Sequence, residues 1–216
     1  MMERQLSRSD RLIAHMDSAL RTLVPNAVVA SRINPAAAVA VAEVALDEFE
    51  RQHVAGLVRA AHIATVGVQG FYQGQMALIK LPASRRQIEP LCGETLDHLA
   101  WCHQRLAQLK SRTSYFTPVW YGFSLGLGLT AGAIGDRFGL GMTAVTKELM
   151  SQQLSEQSTQ LPVDDHNSRP LFRQMAADNG HHARLAIEAS GTRFPTPIKW
   201  GVGLLASGVM KIAYYA

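Results

Sequence analysis

Apolar positions recur at helical spacing along nearly the whole chain, and nowhere do they alternate as they would in a strand. Over 7–23, Leu12, Ile13, Met16, Leu20 and Leu23 share a face, which predicts a helix that Ser7 or Ser9 can cap. The stretch 24–43 is rich in Ala and Val, is interrupted by Pro25 and Pro35, and reads as an extended connection. Helical spacing resumes from Leu46 to Lys80, with Pro82 as its stop, and again from Ser84 to about Lys110. It returns over 143–161, ending at Pro162, and from Ser168 to about Ala189, ending at Gly191. The class is all-α. An N-terminal helix and Ala/Pro-rich connection occupy 1–45, and 46–216 form a bundle of four long helices with further helical segments.

Two segments have a different pattern. No charge occurs from Thr113 through Gly135, and glycines recur there as Gly122/Gly126 and Gly128/Gly132, the spacing that lets helices approach closely. A tightly packed core helix, a membrane span and a helix lying on a bilayer surface all suit this segment. The stretch 198–216 is apolar, with Lys199, Trp200, Lys211, Tyr214 and Tyr215 at the rims, as in an interfacial helix. The net charge of +4 and pI near 9.3 come without a dense basic run, which argues against nucleic acid. A mild positive charge suits the anionic cytoplasmic leaflet of a membrane. Cys92 and Cys102 lie ten residues apart on one helix, roughly 15 Å along its axis. They are too far apart for a disulfide and are expected to be reduced, as in a cytoplasmic protein. The polar, arginine-rich start does not read as a secretory signal.

Candidate chemistry appears as polar residues set into apolar faces. His62, Thr65, Gln69 and Tyr72 form one such stripe, and Thr95, His98 and Cys102 a second. Glu148, Ser151 and Ser155 form a third, and Asn179 and His182 a fourth. Four helices each presenting a stripe imply one shared interior site. Yet between Glu50 and Glu89 there is no acidic residue, and the residue three before His98 is Thr95. A carboxylate-bridged di-iron helix would carry Glu-x-x-His at that spacing.

Several stretches together resemble a known family. They are "MMERQLSRSDRL", "HIATVG" followed by "YQGQ", "DHLAWC" with "QRL", "SRTS", "PVWY", "GDRFGLG", "QMAAD" and the ending "MKIAYY". The chain resembles, over essentially its whole length, the demethoxyubiquinone hydroxylases, membrane-associated di-iron monooxygenases of ubiquinone biosynthesis. That resemblance implies a ferritin-like four-helix bundle, two irons, and hydroxylation of a polyprenyl methoxy-benzoquinol drawn from the membrane. It implies a peripheral location at the cytoplasmic face of the cell membrane, and partners in a ubiquinone-biosynthetic complex. It also implies iron ligands from one glutamate on each of two helices and Glu-x-x-His on each of the other two. Here the two histidines are present as His98 and His182. The four glutamate positions fall on Thr65, Thr95, Ser151 and Asn179.

Neutral hydroxyl and amide oxygens cannot offset the four positive charges of two ferrous ions, so the expectation is no iron, or weakly bound iron. A shifted site remains as an alternative, using Glu94, Glu148, Asp178 and His62 with the two histidines. Glu94 and Asp178 equally suit a role holding the histidine tautomers, since i−4 and i−3 point about 100° apart. Without metal, His98 and His182 read as hydrogen-bonded core histidines, Trp101 and Tyr72 as packing residues, and His181 as solvated. Three functions follow: an active quinol hydroxylase, a non-catalytic membrane-associated binder of a quinol or lipid, and a metal-free scaffold. The missing carboxylates predict that hydroxylation is impaired or lost.

Overall fold

A computed structural model of the chain describes residues 8–24, 27–39, 45–190 and 192–216. Among these, seven α-helices and no strands are found: α1 (Arg8–Leu23), α2 (Glu48–Leu78), α3 (Pro82–Gln108), α4 (Thr117–Ile134), α5 (Asp136–Thr159), α6 (Ser168–Ser190) and α7 (Thr196–Tyr215). The first residues of the "MMERQLSRSDRL" motif, Ser7 as a cap, and Gly191 lie outside the described residues.

Local chemistry places the ends. Asp47 and Glu50 form a reciprocal capping box at the start of α2, Glu50 N donating to Asp47 (2.7 Å) and Asp47 N to Glu50 (3.2 Å). Pro82 opens α3 from its first turn, where a missing N–H costs nothing. Gly135, at φ 146°, makes the break between α4 and α5 in a conformation few other residues adopt. Asp136 then accepts the N–H groups of Lys80 and Leu81 (3.2 and 2.7 Å), pinning the α2–α3 turn to the start of α5.

Helices α2, α3, α5 and α6 form a ferritin-like four-helix bundle, with α2 beside α3 and α5 beside α6. Its core includes Val54, Val58, Tyr72, Trp101, Leu154, Leu171, Phe172 and Met175. Helix α2 is long and apolar enough to cross a membrane, but 89% of that window is buried, which makes it the central core helix. Helices α4 and α7 pack on the outer side of α2. Their outward faces leave Val119, Phe123, Trp200, Leu204 and Tyr215 exposed. The connection between α1 and α2 is more ordered than its composition suggests. It carries a 3-10 turn at Pro35–Ala38, capped by Asn34, and docks on the bundle.

Candidate functional site

The interior between the four bundle helices holds ionised side chains. Lys147 of α5 is 1% exposed, and it continues the buried row of Leu140, Ala144, Met150 and Leu154. Its ammonium lies 5.5 Å from the centre of the Tyr72 ring. Burial pushes its pKa down to about 8, against the pull of Glu94 and Asp178, so it remains mostly protonated at neutral pH.

Carboxylates from two helices answer this cation. Asp178 of α6 accepts from Arg32 (2.8 Å) and Gln174 (2.8 Å) and lies 2.8 Å from His98 Nε2. Burial opposes its ionisation, but the bonds from His98, Arg32 and Gln174 hold its carboxyl well below the usual range. Arg32 comes from the connection after α1. It donates Nε to Asp97 (3.0 Å) and lies over Trp101, 4.9 Å from the ring centre. Asp97 also accepts Ser31 N (2.6 Å). His182 Nε2 lies 3.5 Å from Glu94 Oε1. Burial raises the Glu94 pKa. Burial, and then the charge of Lys147, push His182 down to about 4.

The hydroxyls and amide at the expected ligand positions are spent on backbone. Thr65 donates to Ala61 O (2.8 Å), Thr95 to Leu91 O (2.7 Å) and Asn179 to Met175 O (2.6 Å), each within its own helix. Ser151 is half-buried in the α5–α6 seam, where it donates to Ala176 O (2.8 Å). The side chain that α5 presents to the interior is therefore Lys147, one turn before Ser151. This corrects the expectation placed on Ser151, whose hydroxyl is turned into the α5–α6 seam.

Two shifted-ligand candidates also lie elsewhere. Glu148 pairs with Lys199 (2.6 Å) in a half-exposed ion pair between α5 and α7. His62 Nε2 meets His103 Nε2 at 2.9 Å, and burial pushes His62 down to about 3. Of the candidates, the structure brings together His98, His182, Glu94 and Asp178, and it adds Lys147 and Arg32.

This donor set does not fit a di-iron centre. Asp178 and Asp97 are already committed to Arg32. Two iron ions would share a low-dielectric interior with the Lys147 ammonium, and only Glu94 and Asp178 are placed to compensate. Among the described residues, no group of three or more His, Cys, Asp and Glu side chains is arranged to hold a metal.

The buried groups make stability fall with acid. His182 and His62 have folded-state pKa values of about 4 and about 3, below the ordinary 6.5, so the unfolded chain binds protons first. Their contribution is complete above about pH 6.5 and is lost as pH falls toward 4 and below, by up to about 1.4 kcal/mol per pH unit for each proton. Asp178 adds a loss of the same sign below its unfolded value of 3.8. Urea midpoints measured from pH 7 to pH 4 should drop steadily; a flat profile would refute the buried neutral histidines.

Comparison with known proteins agrees with this architecture. The family model of the ubiquinone biosynthesis protein COQ7 matches residues 52–213. The chain is 46% identical to the 3-demethoxyubiquinol 3-hydroxylase of Chromohalobacter salexigens over 213 residues, 99% of each chain. It is 44% identical to that of Pseudomonas syringae pv. syringae and 43% identical to that of Azotobacter vinelandii, each over 212 residues and 98% of both chains. Full-length similarity at this level, on a bundle of this form, shows that the chain belongs to the COQ7 family of ubiquinone biosynthesis proteins.

Proposed function

We propose that this chain is a family member that binds a polyprenyl quinol at a membrane surface and does not hydroxylate it. One observation carries the reading. An apolar cavity of about 270 Å³ lies between α2, α4, α5 and α7, while the adjoining bundle interior carries Lys147. Val68, Phe71, Leu127, Met142, Leu205 and Val209 are among its walls. The indole N–H of Trp120 is buried there without a partner, in a mostly apolar wall that Ser124, Thr130, Thr146 and Gln153 also join. Trp120, Leu205 and Val209 also line a second apolar groove of about 310 Å³, which runs between α4 and α7 beside Phe123. A ring-sized head in the first space and a prenyl tail along the second would suit that arrangement.

The outer faces of α4 and α7 supply the membrane contact. Val119 is 72% exposed, Trp200 68% and Tyr215 78%, on two helices whose apolar faces have no protein partner among the described residues. The chain would dock peripherally on a cytoplasmic membrane face and hold quinol for the enzymes of the same pathway. An empty scaffold has no use for a cavity continuous with an exposed apolar surface.

The test combines binding with turnover. Tryptophan fluorescence should respond to a polyprenyl benzoquinol in vesicles, and the chain incubated with ferrous iron, reductant and dioxygen should form no hydroxylated product. Val202→Trp, which fills the cavity from α7, should weaken quinol binding at least about tenfold. Hydroxylated product from the unmodified chain would return it to the active hydroxylases; unchanged binding by the Val202→Trp variant would move the quinol elsewhere.

A further inference from the structure

At one end of the apolar face, three cations converge where the loop after α3 meets the end of α7. Arg59, Lys110, Ser111, Arg112 and Tyr215 line a depression of about 380 Å³, with Ala216 at its rim. Arg59 is held rigidly. It donates to Ala213 O (3.2 Å), Tyr214 O (2.7 Å) and Ser111 Oγ (2.8 Å), and so caps the last carbonyls of α7. Arg112 stacks on Tyr115, 3.6 Å from the ring centre. Lys110 stands at the turn between them with φ 52°.

Among the described residues, no acidic side chain answers these charges, and none of the three forms an ion pair. Burial lowers the Arg59 pKa, and repulsion from Arg112 lowers it further. The sequence shows why: no Asp or Glu occurs from His98 through Gly135, nor from Ala189 to Ala216. The stretches 51–88, 98–135 and 189–216, which supply the residues of this corner, therefore carry cations but no acidic side chain. Tyr215 in the depression and Tyr115 under Arg112 are more than half exposed, as are Phe116, Val119 and Ile212 of the apolar groove between α4 and α7.

A phosphate at a bilayer surface fits both halves of this corner, with its charge in the depression and its acyl chains against the aromatic and aliphatic rim. We propose that Arg59, Lys110 and Arg112 form a binding site for the phosphate of an anionic lipid headgroup, which fixes the orientation of α4 and α7 on the membrane. This rests on the membrane docking proposed above and adds its lipid class and contact point.

The experiment compares the full chain and variants on vesicles of phosphatidylcholine alone and with about one-quarter phosphatidylglycerol. Lys110→Asn, which tolerates the left-handed backbone, and Arg112→Gln should each weaken binding to the anionic vesicles about fivefold. Binding to phosphatidylcholine should not change. Lys211→Ala, a cation of α7 outside the depression, should cost markedly less. Equal losses for all three variants would mean diffuse charge attraction and overturn the site. Displacement from the anionic vesicles by inorganic phosphate, at constant ionic strength, would make it a free-phosphate site and also overturn it. Val119→Ser with Phe123→Ser should abolish binding to both vesicle types; if the unmodified chain binds neither, the docking itself fails.

Discussion

A single substitution, Lys147→Glu, should turn the bundle interior into a divalent-cation site. The purified variant should retain about one Co²⁺ per chain after desalting, with the visible bands of a nitrogen–oxygen ligand set, while the natural chain retains none. The reason is charge. Lys147 is buried among Glu94, Asp178, His98 and His182, and its ammonium neutralises the field those acids create. Lys147 forms no close ion pair with Glu94 or Asp178, so it acts on them through the low-dielectric interior, where a divalent ion carries twice its charge. Removing a cation and adding a carboxylate therefore favours the divalent ion, which must also draw Asp178 away from His98, Arg32 and Gln174. Glu94 Oε2 and His182 Nδ1 have no protein partner, so two polar groups are already uncommitted.

Lys147→Met separates charge from ligation. It removes the ammonium without supplying a donor, and its melting temperature should become sensitive to added Co²⁺, unlike that of the natural chain. A folded Lys147→Glu variant that holds no cobalt would show that Lys147 is not what keeps metal out. Cobalt retained by the unmodified chain would remove the basis for a non-hydroxylating role.

The bundle was legible because its cause is local. Helical spacing, Pro82 and Pro162 mark elements whose ends the chain itself determines, whereas the break at Gly135 emerged only in the fold. The interior was legible only in part, because its decisive members depend on neighbours far away in sequence. A lysine in the middle of a helix is ordinarily solvated, and nothing near Lys147 in the chain says otherwise. The signal was its place in the row Leu140, Ala144, Met150 and Leu154, weighed against Glu94 and Asp178 on other helices. Ser151 lies one turn along α5, close enough in register to be mistaken for the inward position but turned into the seam with α6.

Arg32 gave less warning still. It sits in a connection with no periodicity, and only the folded chain carries it to Asp97 and Asp178. The His62–His103 contact ties the first stripe to His103, a residue of α3 outside every stripe. The acid-free stretches were visible, and their meaning changed once three of them met at one surface.

The second large effect concerns the glycines that bring α4 against α2. A Cβ added at Gly128 would run into the backbone carbonyl of Phe71, and one at Gly132 would lie 3.0 Å from Gln75 O. On α2, a Cβ at Gly70 would lie 2.8 Å from Tyr121 O. Gly122 and Gly126, at the same spacing on α4, face open space. One glycine pair is thus a packing surface and the other is not, which the shared spacing could not reveal. Gly128→Leu should cost about 3 kcal/mol in urea unfolding, because its clash is with rigid backbone that no rotamer change relieves. Gly126→Ala should instead be neutral or stabilise by about 0.5–1 kcal/mol, through the lower entropy of the unfolded chain. Val68 and Phe71 of α2 face Leu127 and Ala131 of α4 across the proposed quinol cavity, so Gly128→Leu should also weaken quinol binding while Gly126→Ala leaves it intact. Equal stability of the two variants would mean that α4 can shift outward at little cost. The cavity would then be a flexible seam, and its volume would carry no information about a ligand.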